Sequence, residues 1–461
     1  MKHYIIFCMI LILCYNQEGF SQEQDSQVNE SFDIDQLMEE FDEAPSFSEP
    51  DKTESPRQTF DHAGFFKIST TINLGHKAPK GGKTDHRGLS RLRGESHLKC
   101  DLRFSKFWKA RMSGYARYDL SYSINDRDSY TQDLLDSKES ESDLHEIYIQ
   151  GTMTSQLDIW FGRKIIVWGT SETFRIVDVI NPVDYREFGM LDIEELRLPL
   201  ILTQVNYYAG PWTLSGVMIH ENRKRQMPPF GSDYYLADTP MPDELVPSNT
   251  IDNTMFASAL TGRFSGWDIS FNAAKFNKDN PQIEIMDIGM LTLKQCQLKM
   301  VGATIALVYG NWLLKGELAG SDGHMFVNKP DTTFFRLDAM SGFEYSGFKD
   351  TSLSFEIMNQ HVCQHDIKLL NPPDRTRENT FQSAFRLTKN LFHEKLSVTG
   401  LILLSGTTGQ HGSFERLSVD YDWNDAIDIT FGFAIYQTGR SYIFKRLQDN
   451  DRIFLDIQYN F

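Results

Sequence analysis

The chain has 461 residues, of which 24% are charged and 40% hydrophobic, with a formal net charge of −17. Beyond the N-terminus no apolar run reaches the roughly 18–20 residues of a spanning helix, so a helical membrane protein is excluded. A barrel is not, because its strands alternate and average out in hydropathy. The acidic balance argues against a nucleic-acid partner.

Residues 1–21 read as a secretory signal peptide. Lys2 and His3 start it, Tyr4 to Tyr15 forms an apolar core too short to span, and Gly19-Phe20-Ser21 precedes Gln22. The alternative is a lipoprotein acylated at Cys14, although Leu13 stands where a small residue is expected. Cys8 and Cys14 leave with the signal. Cys100, Cys296 and Cys363 then read as three independent thiols.

Residues 22–61 hold thirteen acidic side chains against Lys52 and Arg57, a balance of −11. With Ser, Pro and Gln between them, they predict a largely disordered periplasmic arm. Ile34, Leu37, Met38 and Phe41 fall at helical spacing and mark a short amphipathic helix inside it. That helix is either a loose tether or a docking element or plug.

Residues 62–461 are expected to form the barrel. From Phe65 the hydrophobic period becomes two. Eighteen strands are predicted, near 65–74, 96–105, 107–122, 143–152, 156–166, 201–209, 211–221, 255–264 and 266–277. The rest fall near 297–309, 311–320, 333–346, 351–361, 379–388, 394–404, 413–422, 425–437 and 452–461. Sixteen is the alternative count. Long connections, such as 75–95, 123–142, 167–200 and 222–254, alternate with tight turns such as Ser105-Lys106, Gly210-Pro211 and Gly310-Asn311. That rhythm is expected of an antiparallel up-and-down transmembrane β-barrel, and an even count places both termini in the periplasm.

Trp108, Trp212, Trp267, Trp312 and Trp423 all sit at tight turns and predict a membrane girdle at one end of the strands. In the last strand Ile453, Leu455, Ile457, Tyr459 and Phe461 share one face, and Phe461 fits the aromatic assembly signal of outer-membrane barrels. Lumen-facing positions of the second and third strands carry Arg103, Lys109, Arg111 and Arg117, with Lys99, Asp101 and Asp119 among them. They read either as a basic ladder for anionic solutes or as a salt-bridge network that stiffens the wall. The third long loop, 167–200, carries Asp178, Asp184, Asp192, Glu194 and Glu195. An acidic loop opposite a basic wall would place a transverse field across a constriction. The other reading is a lid folded on itself, with Asn181-Pro182-Val183-Asp184 as a turn.

Gly162-Arg163, Trp168-Gly169, Asn181-Pro182-Val183-Asp184 and Glu195-Leu196-Arg197-Leu198-Pro199 together resemble the bacterial outer-membrane family known as domain of unknown function (DUF) 1302. The resemblance covers about residues 143–220. It implies a porin-like barrel in the bacterial outer membrane, with outer-membrane lipid and the barrel-assembly machinery as partners. It further suggests a link to transport of lipid-like compounds beside periplasmic or inner-membrane exporter components. It implies no catalytic residue, and no cofactor or metal is expected. His361-Val-Cys363-Gln-His365 and Asn125-Asp126-Arg127-Asp128 read as polar loops, not metal sites. The expected function is porin-like transport of small or lipid-like solutes. Two alternatives stand: a plugged barrel serving an export system, and a barrel enzyme.

Overall fold

The computed structural model describes residues 59–79, 84–242, 244–250, 253–277, 282–285 and 291–461. The expected signal peptide and the expected amphipathic helix of the arm lie outside them.

Eighteen antiparallel strands form one sheet: β1 (Thr59–Asn73), β2 (Gly88–Arg103), β3 (Trp108–Asp119), β4 (Ser140–Thr154), β5 (Leu157–Lys164), β6 (Leu200–Ala209), β7 (Trp212–Ile219), β8 (Met255–Phe264) and β9 (Trp267–Asn277). There follow β10 (Gln297–Tyr309), β11 (Trp312–Phe326), β12 (Lys329–Phe348), β13 (Thr351–Val362), β14 (Asn379–Leu391), β15 (Leu396–Ser405), β16 (Gly412–Asn424), β17 (Ile427–Gln437) and β18 (Arg452–Asn460). Each strand pairs with its chain neighbours, and β1 pairs with β18, so the sheet closes on itself. Closure leaves no unpaired edge, which a strand needs in order to cross hydrocarbon. The count is therefore eighteen, not sixteen. A separate small sheet pairs Gln282–Ile285 with Leu291–Lys294, and the latter with Glu244–Leu245. These pieces are too short for the alternation to mark them.

Alternation places each side chain. On β18 the exposed Leu455, Ile457 and Tyr459 point outward, while Arg452 and Phe454 are buried inside. On β3 Met112 and Tyr118 point outward, and Arg111 and Arg117 into the lumen.

Several boundaries differ from the sequence reading: β2 begins at Gly88 rather than near 96, β11 runs on to Phe326 rather than ending near 320, and two further cases have a visible cause. β1 begins at Thr59, because Thr59 to Gly64 pair with Arg103 to Leu98 of β2. Asp61 and His62 make that stretch too polar to look like a strand. Ser121 and Tyr122 leave the wall as a helical turn, Ser121–Ile124. The Asp119 carboxylate causes this by accepting from the Ser121 N–H at 3.0 Å and from its hydroxyl at 2.6 Å. The cysteines Cys100, Cys296 and Cys363 are free thiols.

At the short-turn end Trp212, Trp267 and Trp312 pack against neighbouring aromatic rings. Phe264 stacks on Trp267 at 4.3 Å and meets Trp212 edge-on at 5.5 Å, and Trp312 lies 4.5 Å from Tyr345.

The closing seam extends past β18. Gly64 and Phe461 exchange two backbone hydrogen bonds of 2.9 Å, and the Phe461 ring stacks on Phe66 at 5.2 Å. Deleting Phe461 removes both. The folded barrel should lose about 2–3 kcal/mol, and the yield of heat-modifiable protein on refolding should fall. Urea unfolding in detergent micelles, compared with the full chain, checks this.

Candidate functional site

The connection between β5 and β6, residues 165–199, folds into the lumen. Gly162 permits the departure. Its φ is +132°, and a Cβ there would lie 2.3 Å from the Ile147 carbonyl oxygen. Arg163 stays on the outward face beside Ile147 and Ile201, and donates to Asp143 at 3.2 Å and to the Leu144 carbonyl at 2.9 Å.

Asn181 ties the two ends of the loop together. Its Oδ1 accepts from the Ile166 N–H at 2.9 Å, and its Nδ2 donates to the Leu198 carbonyl at 2.7 Å. The residue is fully buried. Beside it Leu198 N–H donates to the Pro182 carbonyl at 2.7 Å, and Asp184 N–H to the Leu196 carbonyl at 2.8 Å. The Asn-Pro-Val-Asp stretch is thus an internal clasp, the means by which a loop buried away from water satisfies its backbone.

The loop's apolar residues, including Phe174, Ile176, Val177 and Ile180, pack on the inner wall of β6–β14 against Leu202, Ile219, Met300, Met340 and Met358. Each such side chain contributes about 1.5–3 kcal/mol by leaving water. Trp168 rests on the same cluster. Two wall carboxylates grip the loop's tip. Glu317 on β11 accepts from the Thr170 N–H at 2.5 Å and the Ser171 N–H at 2.9 Å. Glu356 on β13 accepts from the Ser171 hydroxyl at 2.6 Å and the Glu172 N–H at 3.0 Å. Gly169, at φ +92°, leaves room for this grip, since a Cβ would lie 2.7 Å from the Glu317 carboxylate.

A second cluster joins the other long loops to β15–β17. Tyr234 and Phe444 pack with Phe414 and Tyr436, and Phe188 of the inserted loop lies against them. The loops therefore occupy the β6–β17 side of the lumen. Along β1–β4 a cavity of about 300 Å³ stays open, lined by Lys67, Arg93, Glu95, His97, Tyr115 and Arg117 of the wall and by Asp184, Arg186, Glu187 and Glu195 of the loop.

Ion pairs join these two linings. Arg117 binds Glu141, Arg186 donates to Glu141 at 2.8 Å, and Arg186 donates to Asp184 at 2.6 Å. Arg91 and Lys138 both bind Glu187, the latter at 2.8 Å. Burial alone would raise the Asp184 carboxyl, but Arg186 beside it outweighs that and holds it below the ordinary carboxylate range. At the cavity's top, Arg452 donates to Asp233 at 3.0 Å. Burial opposes ionisation of Asp233, and Arg452 overcomes it and holds the carboxyl well below its usual range.

The residues expected to form the pore separate into groups. Arg117, Asp184 and Glu195 line the cavity. Arg111 is lower on the wall, held by Asp101 through bonds of 2.7 and 3.0 Å. Arg103 and Lys109 face each other across β2 and β3 beside the short turn, well away from the loop. Asp178 does not face the basic wall. It is buried inside the loop and accepts from Arg197 at 2.9 Å and Arg175 at 3.2 Å. Asp192 meets the opposite wall, binding Arg416 of β16 and Arg386 of β14, the latter at 3.3 Å. Glu194 is exposed on the helical turn Ile193–Leu196. The geometry differs from a simple acid-against-base field because backbone clasping turns Asp178 inward. Wall acids such as Asp101 and Glu141 also neutralise the arginines.

Glu317, Glu356, Glu141 and Arg186 were missed by the sequence reading. The signal for Glu317 and Glu356 was present: each is an acid at an inward position of a strand whose other inward residues are mostly small or apolar. His361 Nδ1 meets Asn379 at 3.1 Å and His365 Nε2 the Thr376 carbonyl at 2.9 Å. Among the described residues no cluster of three metal-ligating side chains occurs.

Fold and lumen together define a porin-like transmembrane β-barrel with a loop inserted from the third long connection. The chain belongs to the DUF1302 family: the family described as "Protein of unknown function (DUF1302)" matches residues 83–461. No curated protein matches the sequence. Similar solved structures include a BenF-like porin from Pseudomonas fluorescens Pf-5, at 10% identity and a TM-score of 0.53, covering 88% of this chain and 98% of that one. OccK2 (OpdF) of Pseudomonas aeruginosa in complex with glucuronate is similar at 10% identity and a TM-score of 0.51, covering 87% and 97%. OccAB2 of Acinetobacter baumannii matches at 9% identity and 0.51, covering 87% and 98%. At these identities the likeness is one of fold.

Asn181→Ala leaves two buried backbone groups without partners. The barrel should lose about 2–4 kcal/mol, and residues 165–199 should become the first site of proteolytic cleavage, which limited proteolysis with mass spectrometry reads. A second expectation concerns pH. Burial would raise the Asp192 carboxyl, but Arg416 and then Arg386 outweigh it and hold it below 3.8. The pairing is therefore complete above the ordinary carboxyl range and is lost only as pH falls through the lowered value. Protease protection of the loop should be flat between about pH 5 and 8. Asp192→Asn should reduce it across that whole window.

Proposed function

We propose that this protein is an outer-membrane porin-like channel that passes small or lipid-like solutes along the charged side of a lumen narrowed by loop 167–200. One observation carries the reading. The inserted loop packs on β6–β14 by apolar contacts and leaves the β1–β4 side open, lined by charge. A lumen that served only as packing would need no such division. The reading gives the chain passage, not covalent chemistry. It places both termini in the periplasm, with outer-membrane lipid and the barrel-assembly machinery as partners. The likeness to porin folds supports it, and the glucuronate bound to OccK2 (OpdF) is a precedent for an anionic solute in such a barrel.

Lysine and arginine positions along the open side run from Arg103 and Lys109 through Arg111 to Arg117. Their paired acids moderate the field and hold the guanidinium groups in place. A second reading rests on how much of the lumen the loops fill: a plugged barrel that opens only with periplasmic or inner-membrane exporter components. Residues 22–61 would then dock that partner.

Planar-bilayer recording of the refolded chain in potassium chloride tests the first reading. Steady openings are expected. The double variant Arg111→Ala, Arg117→Ala removes two cations from the wall and takes from Asp101 its guanidinium partner, so the anion-to-cation permeability ratio should fall at least about threefold. An unchanged reversal potential in a salt gradient would count against the ladder. Silence from a folded barrel would favour the plugged reading. Deleting residues 22–60 should spare conductance in a channel and abolish partner capture in a docking protein.

A further inference from the structure

The long-loop rim carries a group of exposed arginines that the lumen does not use. Three segments meet there: 363–378, 406–411 and 438–451. Arg377 donates through Nη1 to His411 Nε2. Arg440 and Ser441 are held next to that ring, since their N–H groups donate to the Gln410 and His411 carbonyls, each at 3.1 Å. Arg375 lies with its guanidinium 4.2 Å over the ring of Tyr442. Arg375, Arg377 and Arg440 are all exposed, and among the described residues none of them forms an ion pair.

Two of the surrounding acids are engaged. Asp374 accepts the Val327 and Asn328 N–H groups at 2.9 and 2.8 Å. Asp238 is held by Arg446 at 2.6 Å on the far side of Tyr442. Glu378 is exposed and unpaired among the described residues. Burial, with Arg377 and Arg440 nearby, pushes the His411 imidazole below its ordinary value. A neutral ring that accepts from one arginine beside a second gathers two guanidinium groups in one place, with Glu378 as the uncommitted acid next to them.

The same segments reach the open side of the lumen. Phe444 and Leu447, on the helix Tyr442–Leu447, pack inward with Tyr234, and the Tyr442 hydroxyl donates to the Leu236 carbonyl at 2.7 Å. Tyr234 and Asp233 line the cavity. The charged rim is therefore one helix away from the cavity's wall.

We propose that Arg375, Arg377 and Arg440, arranged around His411 and Tyr442, form a collecting site for small soluble oxyanions, carboxylates or phosphates, at the mouth of the barrel. The inference rests on the channel reading. Guanidinium forks match two oxygens of one such group, and the Tyr442 ring fixes Arg375 in place. A collecting site of this kind raises local solute concentration and works through encounter rate, so it is screened by salt.

The test uses the full chain folded in nanodiscs, with citrate as the probe in calorimetric titration. In about 20 mM salt, where screening is weak, citrate should bind. The triple variant Arg375→Ala, Arg377→Ala, Arg440→Ala should bind about tenfold more weakly. The triple Lys variant should recover part of the loss. All three residues are exposed, and near-ultraviolet circular dichroism confirms that the variants fold. Equal citrate binding by wild type and the Ala variant overturns the proposal. So does binding confined to vesicles that carry a phosphorylated glycolipid, which would assign the arginines to headgroups. Bilayer recording separates this from the channel reading. Loss of citrate binding without any conductance in the wild type keeps the rim site and removes the channel.

Discussion

The structure depends on one constraint: a loop of some thirty-five residues inside a barrel must satisfy its own backbone. Water cannot do so where the loop packs against an apolar wall. Asn181 meets part of this need by bonding the two ends of the insertion, and Glu317 and Glu356 meet another part at residues 170–172. Once those three side chains are in place, the apolar residues between them can settle on β6–β14. The position of the loop then decides where the lumen is filled and where it is open.

Division of labour around the barrel follows. Inner positions of β6–β14 are mostly small or apolar, with methionines at Met300, Met340 and Met358. Inner positions of β2 and β3 are charged. A single alternating period produced both, because the parity of a strand fixes the face and the residue fixes its chemistry. The apolar side is an adhesive surface for the loop, and the charged side lines the cavity. Cations on that side are restrained by partners. A guanidinium held by Glu141 or Asp101 is a fixed point of the wall, and its field is smaller than a bare arginine's but better oriented.

Much of this was legible in the sequence, for identifiable reasons. Strand number, the placement of tryptophans beside the tight turns and the inward arginines come from period two and from the alternation of loop lengths. The inserted loop was visible as a long connection bearing Gly162, Trp168, Gly169 and Asn181. What its residues touch was not visible, since their partners are 15 to 185 positions away: Ile166 for Asn181, Glu317 for Gly169, Glu356 for Ser171. Periodicity locates a face and says nothing about what the chain lays across it. Asp178 shows the cost. Its charge suggested the lumen, and a neighbouring Arg197 drew it into the loop's base.

The same reasoning explains why the glycines of the motif are informative and its arginine is less so. Gly162 and Gly169 stand at backbone angles, and against oxygen atoms, that admit no side chain. A motif built on such positions records a path of the chain. Arg163, in contrast, points outward and bonds to Asp143 beside the rim. It braces the wall where β5 gives up its partner strand and the loop departs. The motif as a whole therefore encodes how a loop enters a barrel and how it is clasped there. The charged lining of the cavity is written elsewhere, in the wall of β1–β4, where no local motif reveals it.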